Sequence, residues 1–220
     1  MSPLLDPTGD LADVVDGLEP VTVVCRGGGS ATTVAHALRL LATTKEAAPS
    51  DAQYARSDLR WWLPLAECAA APRLGDEILD AAGGRWTVLE VNGPGPTGRW
   101  QCACRNLAIA HGLDNFVTIE QAVYSKGSGG AALATWSTWR SGVPARIQPA
   151  DAHVEAVLQA NQAVKKYLIF IAEELALASS HRIKAPDGAL YRVTGWNRAE
   201  RIGELQTIAA ERILAAEDQS

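Results

Sequence analysis

Two stretches of the chain repeat one pattern: ILDAAGGRWTVLEV at Ile78–Val91 and IKAPDGALYRVTGW at Ile183–Trp196. Each runs from an isoleucine through small and turn-forming residues to a glycine, then to an aromatic residue and a valine. They align without a gap at a shift of 105, which pairs Ile78 with Ile183, Gly83 with Gly188, Trp86 with Tyr191 and Val88 with Val193. At the same shift Asn92 meets Asn197, Gly98 meets Gly203 and Gln101 meets Gln206. Upstream, VTVV at Val21–Val24 matches VTIE at Val117–Glu120 at a shift of 96. Such a repeat constrains the architecture more than any single motif, because both copies are expected to build the same unit. A chain of 220 residues is long enough for two small domains. The expected modules span 18–110 and 114–213, joined near AHGLDN.

The second copy gives the clearer local reading. VTIEQAVY alternates, with Val117, Ile119 and Val123 on one face and Thr118, Glu120 and Tyr124 on the other, which is the period of a strand. KGSGGA interrupts it, and TWSTWRSGVPARIQP reads as a second, irregular strand ending at a proline. DAHVEAVLQANQAVKK has helical spacing, with Asp151 placed to cap the first-turn amides. YLIFIAEE reads as a strand apolar on both faces and so is expected to be sandwiched in a core. HRIK, APDG and ALYRVTGW form a hairpin in which Gly188 supplies the positive φ of the turn. ELQTIAAERIL fits a strand or a helix, and its counterpart WQCACRN favours the strand. The predicted class is therefore mainly β with minor α: two related small antiparallel β-barrel or sandwich modules, at least the second with a short helix. A unit of that size has little core of its own, so assembly into a ring would hide apolar surface.

Several kinds of chemistry are excluded at this level. A net charge of -5 argues against sequence-independent nucleic-acid binding, which needs a basic surface. No apolar run approaches the roughly 20 residues of a membrane-spanning helix, and the first residues lack the pattern of a secretory signal, so a soluble cytosolic protein is expected. Cys102 and Cys104 share one face of a strand, while Cys25 and Cys68 stand alone; none has zinc-site spacing, and no metal is expected. CRGGGSATT and KGSGG lack the Gly-Lys-Ser/Thr of a phosphate-binding loop, so no nucleotide cofactor is expected. There is no Gly-x-Ser-x-Gly elbow, and Glu173 and Glu174 are neighbours that would leave a strand on opposite faces. The expected protein is not an enzyme. Trp136 and Trp139, or Trp61 and Trp62, could stack on sugar rings if exposed, which gives a carbohydrate-binding β module as the alternative; core or interface anchors are the favoured reading.

The second module resembles the head–tail joining proteins of tailed bacteriophages. The likeness rests on VTIEQAVYSKGSGGA, TWSTWRSGVPARIQP, KKYLIFIAEE, HRIKAPDGALYRVTGW and ERIGELQTIAAER, in that order over about 100 residues. The first module is similar to the related head-closure proteins through PLAECAAAPRLGDEILDAAGGRWTVLEV, where Pro72, Gly75, Asp76, Ile78, Asp80, Gly83, Trp86 and Val88 occupy the pattern. The resemblance implies a hairpin scaffold built by Gly75, Asp76, Ile78, Gly83, Trp86, Val88, Ile183, Gly188, Tyr191 and Val193, and no catalytic residue. It also implies docking loops at Arg26, Gly27, Gly28 and Gly29, and at Lys126, Gly127, Ser128, Gly129 and Gly130. The implied setting is the virion neck, as a ring of six or twelve copies touching a portal or adaptor, a tail terminator or other tail proteins, and packaged DNA only incidentally. Members of the family usually carry one module per chain, and here there are two.

Overall fold

The computed structural model describes residues 17–26, 30–41, 58–126, 132–150 and 165–213. Strand accounts for 63% of them and helix for 3%. Six strands form the first unit: β1 (Leu18–Val24), β2 (Ala31–Leu41), β3 (Asp58–Pro64), β4 (Glu77–Asp80), β5 (Arg85–Asn92) and β6 (Arg99–Arg105). A four-residue helix α1 (Leu107–Ala110) follows, its first turn capped by Asn106, whose side-chain oxygen accepts from the Ile109 amide at 3.1 Å. The second unit contains β7 (Asn115–Lys126), β8 (Ala132–Pro149), β9 (Lys166–Ile171), β10 (His181–Lys184), β11 (Leu190–Asn197) and β12 (Gln206–Ile213). The helix expected at Asp151 lies outside the described residues.

Each unit is a closed antiparallel barrel, and the two have the same strand order. The first runs β1-β2-β3-β6-β5-β4 and back to β1; the second runs β7-β8-β9-β12-β11-β10 and back to β7. Registers agree as well as order. Val23 faces Ile78 and Ile78 faces Trp86 in the first barrel; Ile119 faces Ile183 and Ile183 faces Tyr191 in the second. The shifts of 96 and 105 read from the sequence are thus the shifts of the paired strands. The fifth strand of each barrel shifts register at the same place, between Val88 and Glu90 and between Val193 and Gly195. A bulge bends a strand sharply, and finding it twice at one position marks a duplicated curvature.

One pairing of the sequence alignment is corrected. Val88 lies opposite Cys104, whereas Val193 lies opposite Ala210, so the last strands correspond at a shift of 210 − 104 = 106. Gln206 is therefore the counterpart of Trp100 and not of Gln101. The extra residue sits in the loop before β12, and a one-residue offset moves a side chain to the other face of a strand.

Alternation fills both barrels. Val21, Val23, Val34, Ala37, Leu59, Trp61, Leu63, Ile78, Trp86, Val88, Cys102 and Cys104 point into the first, with Cys68 from the loop after β3. Val117, Ile119, Val143, Ala145, Ile169, Ile171, Ile183, Tyr191, Val193, Ile208 and Ala210 fill the second, closed by Leu175 and Leu177. Strand β9 is not sandwiched as its composition suggests. Ile169 and Ile171 are fully buried, but Leu168 and Phe170 face outward and are only half-buried, with the Arg146 guanidinium 5.1 Å above the Phe170 ring. A closed barrel has one interior, so the second apolar face is shielded by a cation stacked on an aromatic. The segment at Gln206–Ile213 is a strand, as expected from its counterpart.

The four cysteines are all free. Burial pushes the Cys102 thiol up to about 12 and raises Cys104 and Cys68 as well, with neighbouring thiols adding to the effect. A thiolate is the reactive form. A thiol-reagent titration of native protein at pH 8 is expected to show Cys25 reacting first, Cys68 slowly, and Cys102 and Cys104 only after denaturant is added. A fast phase of four equal thiols would contradict this burial pattern.

Candidate functional site

The repeated hairpin is the best-defined local construction in the chain. In the first barrel Asp80 donates its amide to the Gly84 carbonyl at 3.0 Å, and the Gly83 amide donates to the Asp80 carbonyl at 3.0 Å. In the second, Ala185 donates to Ala189 at 2.9 Å and Gly188 to Ala185 at 2.9 Å. Gly83 and Gly188 have φ of 84° and 83°, the left-handed position that ends a three-residue hairpin loop. The first hairpin carries one further device: the Asp80 carboxylate accepts from Trp86 Nε1 at 2.8 Å, from the Ala82 amide at 3.0 Å and from the Gly84 amide at 2.6 Å. Ile78, Val88 and Ile183 are fully buried, and Trp86, Tyr191 and Val193 nearly so. Tyr191 meets Tyr167 edge to face at 5.1 Å.

The glycine-aspartate pair before this hairpin has a different task. Gly75, at φ 86°, donates to the Val88 carbonyl at 2.8 Å, and a side chain there would meet Arg26 Cδ at 2.8 Å. Asp76, 4% exposed, accepts from the Arg26 amide at 2.9 Å through Oδ1 and from the Arg73 amide at 2.8 Å through Oδ2. Asp76 thus ties the first residue of the predicted docking loop to the barrel. Pro72 is buried beside it in sequence. Gly27, Gly28 and Gly29 lie outside the described residues, as do Gly127, Ser128, Gly129 and Gly130. Arg26 is exposed, and Lys126 is the exposed last residue of β7.

The second barrel performs the same fastening with different chemistry. His181 stands at the position of Asp76 and is equally buried. Its Nδ1 accepts from the Ala178 amide at 2.9 Å, as Asp76 accepts from Arg73 three residues before it. The Ala122 amide, counterpart of Arg26, donates to the Ser180 carbonyl at 2.9 Å. A second exchange occurs at the last strand. Trp100 Nε1 donates to the Cys68 carbonyl at 2.9 Å, while Gln206, 1% exposed, donates to the Leu175 carbonyl at 2.9 Å and accepts from the Leu175 amide at 2.8 Å. Both hold down the loop that follows the third strand. Sequence reading missed His181, Trp100 and Gln206, because unlike residues fill equivalent places.

Cross-strand charges follow suit. Arg105 donates to Asp58 in two bonds, at 2.7 and 3.0 Å; the same rung of the second barrel sets Lys166 opposite Glu211, with the signs exchanged. On β2, Glu67 accepts from the Ala35 amide at 2.6 Å and the His36 amide at 3.1 Å, and pairs with the His36 ring. Arg99, 1% exposed, donates to the His36 carbonyl at 3.0 Å. Burial would raise the Glu67 carboxyl, but the His36 contacts and the Ala35 amide hold it below the usual glutamate range. A depressed acid stabilises the fold above its ordinary pKa and loses that contribution as pH falls through the folded value. Glu67→Gln is expected to cost below about 1 kcal/mol near neutrality, and thermal melts should show the gap to the native chain closing as the pH is lowered through and below the ordinary glutamate range.

The tryptophans are divided. Trp61 is fully buried in the first barrel. Trp136 pairs opposite Ala122 and lies under the Arg182 guanidinium at 4.2 Å, with Arg182 also bonded to Glu120 at 2.6 Å. Trp139, at the bulge of β8, packs its ring against that of His181 at 4.7 Å, tilted by 49°. Residues 181 and 182 leave β10 on opposite faces, so the two tryptophans do as well. Among the described residues, no group of three or more His, Cys, Asp or Glu is placed to hold a metal ion, and no helix is long and apolar enough to cross a membrane.

These features define a tandem β-barrel protein whose best-built sites fasten loops. Comparison with known protein families and with curated proteins finds no match.

Proposed function

We propose that the chain is a non-enzymatic structural protein of the neck of a tailed bacteriophage, forming a ring that closes the DNA-filled head and joins it to the tail. The observation that carries this reading is the duplication of one barrel, strand for strand, bulge for bulge and turn for turn. The motifs that resemble head-closure and head–tail joining proteins fall on the strands and hairpins of those two barrels. What the polar residues do also fits: Asp76, His181, Trp100 and Gln206 spend their hydrogen bonds on loops of their own barrel.

A duplicated module suits a junction between rings of different symmetry. Six chains would present twelve barrels to a twelve-fold portal and still hand over to a six-fold tail. The partners in this reading are further copies of the chain, a portal or adaptor, and tail proteins.

Native mass spectrometry tests it, on the purified protein alone and mixed with a candidate portal. A six-fold ring, or a portal complex carrying six chains, is expected. Twelve chains per complex would overturn the stoichiometry, and a monomer that ignores the portal would overturn the connector reading. The carbohydrate-binding alternative gains nothing from Trp136 and Trp139, which lie on opposite faces of β8. Quenching of their fluorescence by added oligosaccharide would reverse that preference.

A further inference from the structure

The repeat pairs Asn92 with Asn197, and the barrels place them on equivalent rungs. Each ends the fifth strand of its barrel, Asn92 opposite Gln101 and Asn197 opposite Thr207. Both side chains are exposed. Their neighbours differ: Asn92 is followed by Gly93, and Asn197 by Arg198. The remaining asparagines, Asn106, Asn115 and Asn161, precede leucine, phenylalanine and glutamine, so Asn92–Gly93 is the one Asn-Gly step in the chain.

That step carries its own chemistry. A main-chain nitrogen can attack the side-chain carbonyl carbon of the asparagine before it, and a Cβ on the attacking residue stands in the way. Glycine has none and turns most freely about its backbone bonds. Gly93 is exposed, lies just beyond β5, and has nothing within 4 Å of where a Cβ would stand, so no packing opposes the turn that the attack needs. Among the described residues its amide makes no hydrogen bond to another backbone group. The Asn92 side chain donates from Nδ2 to Glu90 Oε1 at 3.2 Å, an exposed contact that water replaces at little cost. Asp187–Gly188 is the contrast. There the Gly188 amide donates to the Ala185 carbonyl at 2.9 Å, and the Asp187 carboxylate accepts from the Ala189 amide at 3.0 Å.

We propose that Asn92 is a site of spontaneous deamidation. The Gly93 amide gives its proton to hydroxide, its nitrogen bonds to Asn92 Cγ, and Nδ2 leaves as ammonia with a proton returned from water, which closes a cyclic imide. Water then opens the imide at one carbonyl or the other and leaves aspartate or isoaspartate. Either product adds a negative charge to a chain whose net charge is already -5. The new carboxylate stands on the same face of β5 as Glu90, so a hydrogen bond becomes a repulsion. Isoaspartate also inserts a methylene into the main chain at the rung of Asn92 and Gln101, which puts the end of β5 out of step with β6. The inference is independent of the neck reading.

Peptide mapping of the full chain, aged in mildly alkaline buffer, tests it. Trypsin releases Asn92 in the peptide 86–99 and Asn197 in the peptide 193–198. The first is expected to gain the mass of an amide-to-acid exchange and to split into aspartyl and isoaspartyl forms on chromatography, while the second stays intact. Isoelectric focusing should show a more acidic species accumulating in step. Gly93→Ala places a methyl in open space, so the melting temperature should stay unchanged while the acidic species is lost. An Asn92 that stays intact in the folded chain overturns the inference, and reaction in a urea-unfolded sample aged alongside would then show that the barrel protects it. Equal reaction at Asn197, or an undiminished rate in Gly93→Ala, overturns it as well.

Discussion

Replacing Trp61 with alanine is expected to remove about 4 kcal/mol from the stability of the first barrel, the range for truncating a fully buried large aromatic. Trp61 is among the largest fully buried side chains and sits mid-strand in β3, opposite Arg39 on one side and Cys102 on the other. Its indole Nε1 has no hydrogen-bond partner among the described residues, so the loss is one of packing alone. That detail makes the contrast with Trp61→Phe informative. Phenylalanine keeps much of the ring volume and removes an unsatisfied donor, so it should cost less than about 1.5 kcal/mol. Thermal melts and urea titrations of both variants would check the pair. The counterpart Ile169, also fully buried, should cost about 2–4 kcal/mol as alanine. Equal losses for Trp61→Ala and Trp61→Phe would mean that the indole nitrogen is satisfied in solution.

The second large effect is expected at Asp76. Asp76→Ala strips the Arg26 and Arg73 amides of their acceptor at once, and a buried donor left without a partner costs about 1–3 kcal/mol. Arg26 and Arg73 are both exposed, so water rescues part of each amide, and a total of about 2 kcal/mol is expected. Hydrogen exchange should localise the change to the chain around Arg26 and Arg73. The exchange between barrels provides the control. His181 accepts from Ala178 as Asp76 accepts from Arg73, so His181→Asp should retain more stability than His181→Ala. It should still lose the contact with Trp139 at 4.7 Å. An aspartate no better than alanine at position 181 would show that the ring's packing, and not its acceptor, holds the turn.

Much of each hairpin was legible because its signals are local. Gly83 and Gly188 sit where a three-residue loop needs the left-handed region, and the flanking Ile78, Val88, Ile183 and Val193 alternate into the core. The strand at Gln206–Ile213 could be chosen over a helix only by analogy with Trp100–Asn106, and the analogy held for the element while failing by one residue for the register. Gln101 and Gln206 look like a conserved pair of the repeat, yet Gln101 faces outward and Gln206 is buried. An inserted loop residue leaves composition unchanged and reverses which face a side chain occupies.

What the sequence by itself determined is the set of things decided within a few residues: the duplicated hairpins, the strand periods and the glycine positions. Only the tertiary structure decided closure of six strands into each barrel, the pairing of β3 with β6 and β9 with β12, and the exchange of Asp76 for His181 and Trp100 for Gln206. Those features join residues as far apart as Thr118 and Lys184. A loop amide donates to any lone pair in the right place and a loop carbonyl accepts from any N–H, so an aspartate can be exchanged for an imidazole and an indole for an amide. Geometry selects the position, and the residue type is free to change.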